Sequence, residues 1–216
     1  MHSNQIVAAF DFDGTITRSD SLRDFLRYAV GTRRFAVAAL CASPWIAGML
    51  LGFSDRAAAK VHFLAATIGG LSQTELEEMA RQYVAHKLPR LIRPEMVVKI
   101  KEHKERGHRL VLVSASPSLY LKYWATDTGF DAVLATELEF VNARFSGRLA
   151  TQNCWGPQKV LRLQQWFDGH PPQEMYAYGD SRGDREMLAL ADHAWLRSRN
   201  VMLPRLDIDL DASSAP

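Results

Sequence analysis

Ile6-Val-Ala-Ala-Phe-Asp-Phe-Asp-Gly-Thr15 is the stretch that decides the fold. From Ile6 to Phe12 the run is apolar on both faces apart from its single acid. An apolar run of that length, too short for a helix, reads as a buried parallel strand. Two carboxylates, Asp11 and Asp13, stand at its end with one residue between them, and Asp13-Gly14-Thr15 breaks it. Side chains alternate along a strand, so Asp11 and Asp13 share one face.

Working outward, Ser19 to Arg106 reads as mostly helical. Ser19-Asp20-Ser21 supplies N-cap chemistry, and Leu22, Phe25, Leu26 and Ala29 recur at helical spacing. Ser72 and Glu75 fit a capping box. Pro94 fits the first turn of a helix that Gly107 stops. Arg109 to Ala115 is a second buried strand and Ala132 to Leu138 a third. Glu139 to Leu149 alternates around Asn142-Ala143 as a β-hairpin does. Gly156-Pro157 opens a helix through Phe167, and Met175 to Asp180 is a fourth strand. Arg185 to Ala191 is helical, Ala194 to Leu196 is a short last strand, and the tail after Pro204 is expected to fray.

Strands alternating with helices from residue 95 onward argue for an α/β fold, a Rossmann-like parallel sheet with helices on both faces. Nearly ninety residues of helix separate the first strand from the rest. The economical division is a core of residues 1–16 and 95–216 and an inserted all-helical cap of residues 17–94. Ligands in such sheets bind at the carboxyl ends of the strands. Those ends carry Asp11 and Asp13, then Ser114-Ala115-Ser116, then Asp180-Ser-Arg-Gly-Asp184, with Lys159 at the start of a helix between the third and fourth strands. Four carboxylates converging on one sheet edge repel one another and imply a bound cation. The ligands are all oxygens, which suits Mg²⁺ rather than Zn²⁺. A phosphate would add the remaining metal contact, and Lys159 would offset its charge.

The set DFDGT, a strand ending in SAS, a lone lysine and GDSRGD resembles the haloacid dehalogenase-like phosphatase superfamily. The helical insert after the first motif, and the hairpin before the lysine motif, resemble its phosphoserine-phosphatase-like subgroup (type IB). The resemblance spans about Ile6 to Leu196 and implies a role for each matching residue. Asp11 is the nucleophile and a metal ligand. Asp13 is the general acid and then the base, with its backbone carbonyl on the metal. Ser114 and the Ala115 amide bind the transferring phosphoryl oxygens, and Lys159 neutralises phosphate and nucleophile. Asp180 is a direct metal ligand, and Asp184 holds metal-bound water. Asp20 matches the place of an acidic residue beside the substrate, where it could pair with an amine or simply cap a helix. Lys60, with Arg56 as competitor, is the choice for a cap cation facing the site. Two positions depart from the subgroup: Gly183 stands where Asn is common, and Ala115 where Gly is common.

The implied activity is Mg²⁺-dependent hydrolysis of a small phosphorylated metabolite through an aspartyl-phosphate, with histidinol phosphate and phosphoserine as candidates. The alternatives are a lipid phosphatase of the phosphatidylglycerophosphate type, a phosphomutase using the same two acids, and a non-catalytic binding protein. The 216 residues hold one sizeable core, or one core plus an insert. A net charge of +2 and a pI near 8.6 are too weakly basic to argue for nucleic acid. Cys41 and Cys154 lack metal-ligand spacing and read as buried small hydrophobes in a reducing cytoplasm. The N-terminus shows no basic region ahead of an apolar stretch, so no signal peptide is expected. The seven histidines show no ligand pattern, and Arg182 reads as solvated surface. Residues 35–53 carry no charge. Pro44, Gly48 and Gly52 argue against a membrane span there, and the reading taken is apolar cap helices buried on each other. Contact with lipid or with a second subunit stays open.

Overall fold

The computed structural model describes residues 5–50, 56–199, 202, 203 and 206. The side chains of Ile46, Met49, Leu50 and Arg56 lie outside that description, as do all but one of the tail residues from Pro204 onward. Five strands form one parallel sheet: β1 (Ile6–Phe10), β2 (Arg109–Pro117), β3 (Ala132–Thr136), β6 (Glu174–Gly179) and β7 (His193–Leu196). Their spatial order is β3-β2-β1-β6-β7. The opening strand is thus central, paired with β2 on one side and β6 on the other.

That position explains why β1 is apolar at every residue. Val7 and Ala9 face a layer that includes Leu163, Met187 and Leu188 of α6 (Pro157–Phe167) and α7 (Arg185–Leu190). Ala8 and Phe10 face the opposite layer, which includes Met96 and Ile100 of α4 (Pro94–Glu105). Phe10 stacks on Tyr178 of β6 with ring centroids 4.5 Å apart. Tyr178 in turn reaches His103 of α4, hydroxyl to Nε2, at 2.7 Å. Burial pushes that imidazole down to about 3, so it is neutral and satisfied.

Between β1 and β2 the chain is helical: α1 (Ser21–Leu50), α2 (Arg56–Ile68), α3 (Gln73–His86) and then α4. Gly31, with φ 75°, breaks the helical geometry of α1 and divides it into two pieces. The Ser72–Glu75 capping box is present at the start of α3. α5 (Ser118–Thr128) follows β2 and packs against α3.

The hairpin is β4 (Leu138–Val141) and β5 (Arg144–Leu149), turning at Asn142-Ala143 where both residues have positive φ. It does not join the main sheet. Its backbone bonds instead to the α2–α3 loop: Gly70 N–H to Phe145 O at 3.0 Å, Phe145 N–H to Leu71 O at 2.9 Å, and Gln73 N–H to Ala143 O at 2.8 Å. The hairpin therefore straps the inserted helices to the rest of the chain.

Two expectations need correction. The apolar run of residues 35–53 is not interrupted at Pro44, because α1 continues through it. Residues 51–53 lie outside the described residues. Among the described side chains of 35–50 one face is covered: Ala38 and Ala42 are buried, while Val37 is 62% and Leu40 74% exposed. Small alanines let α2 approach on one side, and the larger side chains on the other side face outward. Cys41 lies on that outer side and is exposed, so only Cys154 is the buried hydrophobe expected. Among the described residues, no helix is long and apolar enough to cross a membrane.

The capping box yields a direct test. Ser72 donates to and accepts from the first turn of α3, with Glu75 N–H to Ser72 Oγ at 3.2 Å and Ser72 N–H to Glu75 Oε2 at 2.9 Å. Ser72→Ala is expected to cost about 1 kcal/mol of stability in a denaturant titration. Ser72→Asp should retain most of it.

Candidate active site

Strand register brings the motifs together. Phe10 is level with Leu112 of β2 and with Tyr178 of β6. Asp11 and Asp180, just past β1 and β6, and Ser114, near the end of β2, therefore meet at the carboxyl edge of the sheet. Lys159, in the first turn of α6, reaches the same edge from beneath.

Lys159 is the centre of this cluster. The residue is 1% exposed, and its ammonium donates three hydrogen bonds: to Asp11 Oδ1 at 2.6 Å, to Asp184 Oδ1 at 2.7 Å and to Val113 O at 2.7 Å. Burial alone would lower its pKa, but the two carboxylates outweigh burial and hold it above the usual lysine value. Asp184 is equally buried and stays ionised. Burial raises its pKa, but Lys159 and the N–H groups of Ser181 and Asp180 bring it below the usual carboxylate range. Its Oδ2 accepts from Asp180 N at 3.1 Å, Ser181 N at 3.0 Å and Ser181 Oγ at 3.1 Å.

Asp11 is anchored on both oxygens, Oδ1 by Lys159 and Oδ2 by Thr15 Oγ1 at 3.0 Å. Burial pushes its pKa up to about 8 against the pull of Lys159. Asp180, half-buried, is pushed up to about 6 by burial and by Asp184. One oxygen from each of Asp11, Asp180 and Asp184 can be chosen so that all lie within 4.8 Å of one another. Asp180 lies tight under the turn: a Cβ on Gly14, whose φ is 82°, would fall 2.1 Å from its Oδ2. A set of oxygen donors this close, with one ammonium among several acids, has the charge and chemistry that fit a small hard divalent cation.

Asp13 occupies the turn Phe12–Ile16 after β1. Ser21 N–H donates to its Oδ1 at 2.6 Å and Ser116 Oγ to its Oδ2 at 2.5 Å. Burial raises its pKa, as does the nearby Asp20 carboxylate, while the serine donors oppose the rise. Ser114 is buried, and its Oγ accepts from Ser116 N at 3.1 Å.

The residues read as cap contacts part company here. Lys60 of α2 reaches the site: its Nζ donates to Ala115 O and, at 2.9 Å, to Asn153 Oδ1. Among the described residues, no carboxylate lies within ion-pairing distance of it. Burial lowers its pKa to about 8, although Asp13 and Asp20 pull the other way. Asp20 immediately precedes α1 and accepts from Arg23 N at 2.9 Å, the bond of an N-cap. Arg56 stands at the first position of α2, and its side chain is outside the described set. Arg182 is exposed, as expected.

Gly183 has a packing reason. A Cβ there would fall 2.3 Å from Trp155 Nε1, so the indole occupies the space that a longer side chain would need. Four residues were not singled out from the sequence: Thr15 on Asp11, Ser116 on Asp13, and Thr136 with Asn153 beside Lys60. Thr136 Oγ1 donates to Ala115 O at 2.7 Å. Thr15 and Ser116 lie inside the quoted motifs, and their position next to the acids was the available signal. Thr136 and Asn153 carry none, since only folding brings residues 60, 115, 136 and 153 together.

Comparison with known proteins agrees with this geometry. The family model described as haloacid dehalogenase-like hydrolase matches residues 8–189. Protein CicA of Caulobacter vibrioides is 32% identical over 198 residues, which is 91% of this chain and 88% of that protein. Phosphoserine phosphatase of Archaeoglobus fulgidus is 27% identical over 94 residues, 43% of this chain and 27% of that protein. Among solved structures, a protein of unknown function from Bordetella pertussis Tohama I superposes with TM-score 0.69 at 21% identity, covering 87% of each chain. A substrate-bound phosphoserine phosphatase superposes with TM-score 0.61 at 16% identity, covering 87% of this chain and 83% of that one. With the match of the family model across most of its length, this chain belongs to the haloacid dehalogenase-like hydrolase family.

Proposed function

We propose that the protein is a Mg²⁺-dependent phosphomonoesterase that works through a phosphorylated Asp11. The observation that carries this reading is the buried Asp11–Lys159–Asp184 arrangement beside Asp180. The proposed division of labour assigns the chemistry to residues 1–16 and 95–216 and the choice of substrate to residues 17–94.

In the first step a carboxylate oxygen of Asp11 forms a bond to phosphorus, and the ester P–O bond breaks. The leaving oxygen takes the proton of Asp13. In the second step Asp13 takes a proton from water, the water oxygen attacks phosphorus, and the Asp11–phosphorus link breaks to release phosphate. One side chain attacks and the other handles protons, which is what their separate surroundings suit them for. Lys159 holds Asp11 in place, and its fixed charge faces the incoming phosphoryl oxygens. Ser114 and the Ala115 amide bind those oxygens. Asp11, Asp180 and the Asp13 carbonyl would hold the cation, with Asp184 supporting its water. When bound, Mg²⁺ supplies charge neutralisation for the transferring phosphoryl group and brings the pKa of Asp11 back down.

Lys60 bears on the substrate. A cation held only by neutral acceptors at the edge of the phosphoryl site is suited to a second anionic or acceptor group of the substrate. Asp20, with one oxygen engaged in capping, keeps the other for an amine. Phosphoserine offers a carboxylate and an amine, whereas histidinol phosphate offers an amine and a neutral imidazole acceptor in place of the carboxylate. The tight Trp155–Gly183 contact leaves no room for the asparagine common in phosphoserine phosphatases, which speaks against phosphoserine itself and leaves the substrate as the class of small phosphorylated metabolites. A lipid phosphate is the second reading, favoured by the outward apolar stripe of Val37 and Leu40 on α1. Sedimentation with anionic vesicles separates the two readings. A cytoplasmic location goes with the first reading.

Asp11→Asn is expected to abolish phosphate release while the protein stays folded, because an amide cannot form the acyl phosphate. Asp13→Asn should lower turnover on an alkyl phosphate by about 10²–10⁴-fold. Substantial release by a folded, uncontaminated Asp11→Asn protein would overturn the covalent route.

Activity should vanish in EDTA and return with Mg²⁺, with Ca²⁺ a poor substitute because it prefers more ligands at longer range. Full activity after exhaustive chelation, or stoichiometric Zn²⁺ in the purified protein, would contradict the assignment.

Lys60→Ala should lower kcat/KM for a substrate with a second anionic group by about 10–100-fold, the worth of one charge-assisted hydrogen bond. A small aryl phosphate should lose less than about threefold on the same grounds. The pH dependence has a definite sign. Lys60 is charged below about 8 and neutral above it, so kcat/KM for the anionic substrate falls as pH rises through that value. Lys60→Arg, which keeps its charge, should remove the fall. Equal losses on both substrates would move Lys60 out of substrate binding.

A further inference from the structure

Asp13 is held by groups that the mechanism above does not use. Ser116 Oγ donates to Oδ2 at 2.5 Å and Ser21 N–H to Oδ1 at 2.6 Å. Behind them stands Tyr120 of α5, fully buried. Its hydroxyl lies 2.8 Å from Ser21 Oγ. Tyr83 of α3 closes the back of the group by donating to Ser21 O at 3.2 Å. Ser116, Asp13, Ser21 and Tyr120 thus form a chain of hydrogen bonds. It joins the turn after β1, the end of β2, the start of α5 and the first residue of α1.

We propose that Ser116 is a positioning residue for Asp13, fixing the carboxyl orientation from which it exchanges its proton with the leaving oxygen. The inference rests on the Asp13 role proposed above. A free carboxyl group rotates about its terminal torsion, which is broad and roughly two-fold. One donor on each oxygen removes that freedom before substrate arrives, and each oxygen keeps a second lone-pair direction for the reaction. As the ester P–O bond breaks, the O–H bond of Asp13 breaks and the leaving oxygen gains the proton. Asp13 then carries a negative charge that the Ser116 hydroxyl and the Ser21 N–H already face. Donors aimed in advance at developing charge need no reorganisation during the step. Tyr120, whose phenol burial keeps protonated, fixes the Ser21 hydroxyl from behind.

The test is the dependence of kcat/KM on the leaving group, because this constant reports the phosphoryl-transfer step. Esters range from an alkyl phosphate, which needs protonation, to p-nitrophenyl phosphate, which scarcely does. Ser116→Ala should lose about tenfold or more on the alkyl phosphate and less than about threefold on p-nitrophenyl phosphate, the pattern of weakened acid catalysis. Ser116→Thr, which keeps the hydroxyl, should recover activity to within about threefold of the parent by the same measure. In an Asp13→Asn background Ser116→Ala should add little, since the two act as one unit. Equal losses on all leaving groups, or full additivity with Asp13→Asn, would overturn the inference. The Asp13 reading survives that result if Asp13→Asn by itself depends on the leaving group. If Asp13→Asn shows no such dependence, both readings fall. Should Ser116→Ala not fold by circular dichroism, Tyr120→Phe removes only the hydroxyl that holds Ser21, the other donor to Asp13. It must then show the same leaving-group pattern at smaller size, or the inference fails.

Discussion

The buried ammonium of Lys159 is the interaction on which the rest of the site depends. It brings together an acid from the end of β1, an acid from the loop after β6 and a carbonyl of β2. None of these acids could be buried alone at neutral pH without losing its charge. Each makes the burial of the others tolerable, and removing one partner from such a cluster commonly costs about 3–5 kcal/mol. The sheet order follows the same requirement. β1 must lie between β2 and β6 for one lysine to reach all three groups.

The cluster still holds more negative than positive charge. Asp180 and Asp11 are both raised, Asp11 chiefly by burial and Asp180 by burial together with Asp184. Under the proposed function that imbalance is met by charge that arrives from outside, a divalent cation and a phosphoryl group that would neutralise each other in place. Structural rigidity serves this need. Thr15, Gly14 and the serines around Asp13 leave the acids little freedom to relax away from one another.

The inserted helices meet this site in two ways. One is chemical: Lys60 reaches across to Ala115 and Asn153. The other is mechanical: the β4–β5 hairpin bonds its backbone to the α2–α3 loop. The hairpin thus limits how far α2, and Lys60 with it, can move from the strand ends. The outer stripe of α1 lies away from both connections, and packing among the described residues does not cover it.

Much of this was legible before folding was considered. Local pattern carries the strands, the capping box, the hairpin turn and the convergence of Asp11, Ser114, Lys159 and Asp180, because each depends on nearest neighbours and on the rule that ligands meet strand ends. Even Gly183 could be marked as a departure, though not explained. The tertiary structure alone decided what depends on distant residues meeting. Trp155 fills the space beside Gly183, Tyr120 backs Ser21 beside Asp13, the hairpin turns away from the sheet to hold the inserted helices, and among the described side chains α1 has one of its two apolar faces covered. Periodicity states which positions are apolar, but not which of two apolar faces will find a partner. The chain's order determined the chemistry at the sheet edge, while packing across long sequence separations determined how that chemistry is held and what may approach it.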